Sequence, residues 1–157
     1  VGLDMYLYKK TFVGSYYPHL KIKAKISITE DGKPIHINET RISEIVERVG
    51  YWRKSNAVHG WFVDNVQAGE DDCREYPVSI EQLKELLELC YEVLKNPDDA
   101  EHILPAHQGF FFGSYDYGID YMTDIKDTIK ILEPLLQELK EEKKQNIYSE
   151  IYYQSSW

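Results

Sequence analysis

The sequence predicts an α+β fold: a four- to five-stranded, mostly antiparallel sheet with helices packed on one face. Three observations carry this. Short runs alternate apolar and polar residues with the period of a strand, and longer runs repeat apolar residues every three or four positions, as helices do. The two kinds of run do not alternate regularly along the chain, as a doubly wound parallel sheet would require.

The strand pattern starts at once, with Leu3, Met5 and Leu7 alternating with Asp4, Tyr6 and Tyr8. A loop from Thr11 to His19 follows, and then Ile22, Ala24, Ile26 and Ile28 alternate with Lys21, Lys23, Lys25 and Ser27. Lysines on the wet side suit a half-buried strand at a sheet edge. Asp31-Gly32 predicts a tight hairpin turn, which needs positive φ, with Ile35 and Ile37 on the return strand.

Ile42, Ile45, Val46 and Val49 fall at helical spacing, and Thr40 or Asn38 can cap them. The next apolar set, Val58, Trp61, Phe62 and Val66, is out of phase with the first across Gly50. Two helical pieces are therefore expected, roughly 40–49 and 52–66. An acidic loop with Glu70, Asp71, Asp72 and Glu75 leads to the clearest helix. There Ser79 and Gln82 form a capping box, and Val78 can staple onto Leu83. Leu83, Leu86, Leu87, Cys90 and Leu94 share one face, and Asn96-Pro97 stops the helix near residue 95.

Phe110-Phe111-Phe112 is short and apolar enough for a buried strand that ends at Gly113-Ser114. Ile125, Ile129, Leu132, Leu136 and Leu139 mark a last long helix, which Pro134 should kink or split. A strand rich in Ile and Tyr closes the chain, from Ile147 to Tyr153, followed by Gln154-Ser155-Ser156-Trp157. The patterns leave open whether the first and last strands are neighbours.

A chain of 157 residues without repeat, linker or low-complexity tract is expected to form one domain, 1–157. That length can bury a core without disulfide or structural metal. The net charge of −9 argues against a nucleic acid duplex as partner, because phosphate contact needs a basic surface. Two cysteines, Cys73 and Cys90, make neither a disulfide framework nor a zinc site, which points to a reducing compartment. No apolar run reaches the length of a membrane span and no signal peptide is visible, so a cytoplasmic location without membrane contact is expected. No cofactor motif is present: phosphate loop, GxGxxG, GxSxG and HExxH are all missing.

The segment from Tyr51 to Phe62 concentrates the chemistry. On a helix, Trp52, Asn56, His59 and Val63 fall on one stripe, and Arg53 lies three residues before Asn56. A fixed cation, an amide, an imidazole and an indole on adjoining faces suit a small planar or phosphorylated ligand, with Trp52 or Trp61 as stacking wall. Ser114, in the glycine-flanked loop Gly113 to Gly118, would lie at the mouth, since strand–helix junctions often hold ligands. The same residues can equally be structural, with Asn56 and His59 bonded to backbone and Arg53 paired to a carboxylate. Asp4 or Asp71 could orient His59 as a general acid or base. Cys73 beside Arg74 could be a low-pKa thiol, and the acidic loop with Asp71, Asp72, Cys73 and Glu75 could hold a metal with His59 or His107. The acidic loop lacks the spacing of a calcium site, so no metal and no cofactor is expected.

Gly2-Leu3-Asp4-Met5-Tyr6-Leu7, Tyr51-Trp52-Arg53-Lys54, Asn56, His59 and Trp61-Phe62 form recognisable phrases. With Gly109-Phe110-Phe111-Phe112-Gly113-Ser114 and Tyr152-Tyr153-Gln154-Ser155-Ser156-Trp157, they resemble a family of small uncharacterised proteins of bacteriophages and prophage regions. Some members carry a phosphoglycerate kinase label, which does not fit a chain this short without a nucleotide-phosphate motif. The resemblance implies a phage-associated setting and no established site roles. It suggests sequestration of a nucleotide-like host signal, a host-defence antagonist. The alternatives are a module acting on a host protein and a small enzyme using His59.

Overall fold

The computed structural model describes residues 2–14, 27–109 and 112–157. A four-stranded antiparallel sheet forms the centre, in the order β4-β1-β6-β5. Its strands are β1 (Asp4–Phe12), β4 (Glu44–Arg53), β5 (Tyr76–Val78) and β6 (Ser149–Ser156). β2 (Thr29–Glu30) and β3 (Lys33–Pro34) make a separate two-stranded hairpin. The helices are α1 (Asn56–Asn65), α2 (Ile80–Lys95), the short α3 (Ala100–Ile103) and α4 (Ile119–Lys144). The fold is α+β, as the patterns predict.

Alternation in β1 turns Leu3, Met5 and Leu7 into one core with Leu83, Leu86 and Cys90 of α2 and Ile125 and Leu132 of α4. Asp4, Tyr6 and Tyr8 point to the opposite face. β1 and β6 are neighbours, paired from Asp4↔Ser156 to Thr11↔Ser149, so the first and last strands form the middle of the sheet.

The largest departure from the sequence reading is residues 44–53, which form β4 rather than a helix over 40–49. Ile45, Val46 and Val49 happen to fall at helical spacing, but β-branched side chains fit a pleated surface better than a helix. Nine paired positions along β1 decide the matter. Gly50 interrupts no helix. The register skips Val49 beside it, a bulge, and a Cβ at Gly50 would stand 2.8 Å from Ile131 Cγ2 of α4. The close approach of helix to strand therefore requires glycine there. α1 starts four residues later than the expected 52–66 piece, and Trp52 and Arg53 are strand residues.

α2 matches its signals. Ser79 N–H donates to Gln82 Oε1 at 2.9 Å and Gln82 N–H to Ser79 Oγ at 3.1 Å, closing the capping box. Leu83, Leu86, Cys90 and Val93 form its buried line, whereas Leu87 is half-buried and Leu94 is 37% exposed. Pro134 neither splits nor ends α4, which runs unbroken for 26 residues. Pro134 and Lys130 are both exposed, so the carbonyl that loses its helical donor can bond water. The hairpin turn forms at Asp31-Gly32 with φ of +49° and +75°, but Ile35 and Ile37 lie beyond its return strand and are exposed. The expected strand over Lys21 to Ile26 and the first two residues of Phe110–Phe112 lie outside the described residues. Phe112 is buried in a bend, not a strand.

One inward group was invisible in the pattern. Lys9 is buried, and its ammonium meets Glu47 at 3.2 Å, Glu138 at 3.1 Å and also Glu142. Burial works against its charge, and the hydrogen-bonded carboxylates outweigh burial and hold the lysine above its usual range.

Candidate functional site

Where β4 ends, the chain turns sharply into α1. Lys54 takes a left-handed conformation (φ +56°), unusual for a non-glycine residue, and its N–H donates to Leu3 carbonyl oxygen at 2.8 Å. Strained backbone of this kind recurs at ligand sites. Asn56, in the first turn of α1, reaches out of the helix. Its Nδ2 donates to the carbonyls of Phe112 (3.1 Å) and Ser114 (2.7 Å), and its Oδ1 accepts from His107 N–H at 3.2 Å. One side chain thus pins the 112–114 loop against α1.

This pinning shapes a cavity of about 260 Å³ between the end of β4, the start of α1, the 113–116 loop and the start of α4. Arg53, Asn56 and Ser114, three of the six residues expected at a ligand site, line it together. Lys54, Asp120 and Asp124 line it too; Lys54 belongs to the Tyr51–Phe62 segment without an expected role there, and no sequence pattern marks the two aspartates. Asn56 spends its polar atoms on the protein, so it builds the wall. The groups open to a ligand are the charged ones.

Two polar groups at the base of α1 and on α4 are buried at some cost, and only the second, Asp124, lines the cavity. Ser55 caps α1 by position but makes no side-chain cap bond, and its hydroxyl, 0% exposed, has no hydrogen-bond partner among the described residues. Burial pushes the Asp124 carboxyl up to about 6, and the charges of Asp127 and Asp120 add to this. The neighbouring Ser55 hydroxyl tempers the rise.

The sign of the consequence is definite. The ordinary value of Asp124 is 3.8, so the folded protein holds its proton more tightly than the unfolded chain. The stability this contributes is complete below the ordinary value and lost as pH rises through about 6. Asp124→Asn should therefore stabilise the protein by about 1 kcal/mol near neutral pH, because water at the partly exposed carboxyl screens much of the cost of its charge. The gain should vanish near about pH 4. Urea midpoints of both proteins at the two pH values check this; a less stable variant at neutral pH would mean that the charge anchors the fold.

The other expected site residues lie elsewhere. Trp52 points into the core, its Nε1–H donating to Thr128 Oγ1 at 2.9 Å, and so cannot serve as a stacking wall. Trp61 lines a different cavity of about 270 Å³, with Asp64, Glu85 and His107. His59 is 0% exposed and fully engaged: Nε2 meets Asp71 Oδ1 at 2.9 Å and Nδ1 meets the Tyr153 hydroxyl at 2.6 Å. The carboxylate only accepts, so Nε2 carries the hydrogen and Nδ1 accepts from Tyr153. Burial keeps this imidazole neutral, lowering its pKa against the pull of Asp71. No nitrogen is left for a substrate proton.

Among the described residues Asp4 meets no histidine; it accepts from the Tyr51 hydroxyl at 2.6 Å. Arg74 is held by Asp72 at 2.6 Å and Glu70 at 2.8 Å beside the exposed Cys73, and burial pushes the Cys90 thiol up to about 12. Among the described residues, no group of three His, Cys, Asp or Glu side chains is placed to hold a metal, and no helix is long and apolar enough to cross a membrane. Comparison with protein-family models, curated proteins and solved structures finds no match to this chain.

Proposed function

We propose that the protein binds a small phosphorylated ligand, holding its anionic group at the β4–α1 junction. One observation carries this reading: Arg53 and Lys54 line the cavity beside an uncapped helix start, and neither has an ion-pair partner among the described residues. Free helical N–H groups and a guanidinium are the usual donors to phosphate. The cavity lies below the range of about 300–1,000 Å³ that encloses drug-sized ligands, and no tryptophan walls it. It suits a phosphorylated head rather than a whole nucleotide. Sequestration of a host signal, the role suggested by the resemblance to phage proteins, requires binding of this kind and no turnover.

Titration with inorganic phosphate, followed by amide NMR, tests the reading. Shifts should centre on Lys54 to Val58 and Ser114. Arg53→Ala should weaken binding by about 1.5–3 kcal/mol, the worth of a charged hydrogen bond, with the melting temperature unchanged. A marked loss of stability with binding intact would assign Arg53 to the fold.

A second reading, docking on a host protein, draws on the sheet face away from the helices. Tyr6 stacks on Tyr8 with ring centres 5.9 Å apart and meets Tyr51 at 5.5 Å, while Arg48 lies 5.0 Å from the Tyr6 ring. Tyrosine-rich surfaces suit protein contacts.

A further inference from the structure

The two walls of the Arg53 cavity carry opposite charges that do not touch. Arg53 and Lys54 stand at the end of β4, and Asp116, Asp120 and Asp124 stand on the loop and the first turns of α4. No ion pair within 4.0 Å links the two sets, nor either set to any other described residue. Asp120 and Asp124 are four residues apart in one helix, so their carboxylates share a face.

A simple anion entering this space would be drawn to one wall and repelled by three carboxylates. A simple cation would meet the reverse. Each such repulsion strengthens as water is excluded from between the charges. Only a ligand of both signs gains from both walls.

We infer that the ligand of this cavity is a small zwitterion, an aminoalkyl phosphate, with its phosphoryl group on Arg53 and Lys54 and its ammonium group between Asp120 and Asp124. The inference rests on the phosphate-binding reading and adds the second half of the molecule. A cavity of 260 Å³ holds roughly nine waters' worth of liquid volume, enough for a ligand of about eight to ten heavy atoms.

The test is calorimetric titration of the full chain, in EDTA near neutral pH, with phosphoethanolamine, inorganic phosphate and ethanolamine. Phosphoethanolamine should bind at least about tenfold more tightly than phosphate, and ethanolamine most weakly. In the double variant Asp120→Asn/Asp124→Asn, phosphoethanolamine and phosphate should bind within about twofold of each other, because the ammonium contact is lost and the repulsion of phosphate is relieved at the same time. Arg53→Ala should weaken both phosphate compounds. Equal affinities in the unaltered protein would overturn the zwitterion while leaving the phosphate site standing. Phosphate binding that appears only when magnesium is added would also overturn it, assigning the aspartates to a hydrated metal carried by the phosphate. If neither phosphate compound binds, the phosphate-binding reading itself falls.

Discussion

Leu86→Ala is expected to lower the stability of the fold by about 2–5 kcal/mol. Leu86 is fully buried on α2, in the line that also holds Leu83, Cys90 and Val93 and faces α4 and the sheet. Truncation removes three carbons' worth of apolar burial and leaves a cavity, because α2 is fixed at its start by the capping box and at its end by Asn96. Leu94→Ala, two turns along and 37% exposed, should cost less than about 1 kcal/mol. The pair is a direct check on which face of α2 is buried. Urea denaturation of both variants measures it, and equal losses would contradict the placement.

The contrast between α2 and β4 shows which parts of this fold could be read from the sequence. The signals that start and stop α2 are local: Ser79 bonds Gln82, and the apolar period continues for four turns. β4 has no such autonomy. Its identity comes from pairing with β1, more than thirty residues away in the chain, which no periodicity within 44–53 can reveal. The same long-range pairing decides the site. On a helix, Trp52 and Asn56 would share a stripe; on a strand, Trp52 turns into the core and Arg53 turns out, because neighbouring strand residues face opposite sides. Arg53, Asn56 and Ser114 still meet, but they do so through the Asn56 bonds to the 112–114 loop rather than through helical spacing. Asp120 and Asp124 were legible as ordinary acids near a helix start. What gives them a role is the docking of that start beside the start of α1, a tertiary fact.

His59→Ala is expected to cost about 3–5 kcal/mol, through the cavity left by a fully buried ring and a stranded Tyr153 hydroxyl. His59 ties three distant parts of the chain together. Tyr153 belongs to β6 and stacks on Phe62 at 3.9 Å, while Asp71 belongs to the acidic loop and also accepts from Trp157 Nε1–H at 3.3 Å. His59→Gln, which keeps one donor and one acceptor, should recover part of the loss. The same group makes stability depend on pH. Unfolded, His59 takes a proton near its ordinary value of 6.5; folded, burial delays this to lower pH. The unfolded chain therefore binds more protons just below that value, and stability falls as pH drops. Asp124 works in the opposite sense below about 6, so the measurement belongs in the Asp124→Asn background. There, stability should decline between about pH 8 and about pH 5.5, and adding His59→Gln should flatten the decline. An unchanged slope in the double variant would mean that a different group titrates, and the buried neutral imidazole would not be what links α1, β6 and the acidic loop.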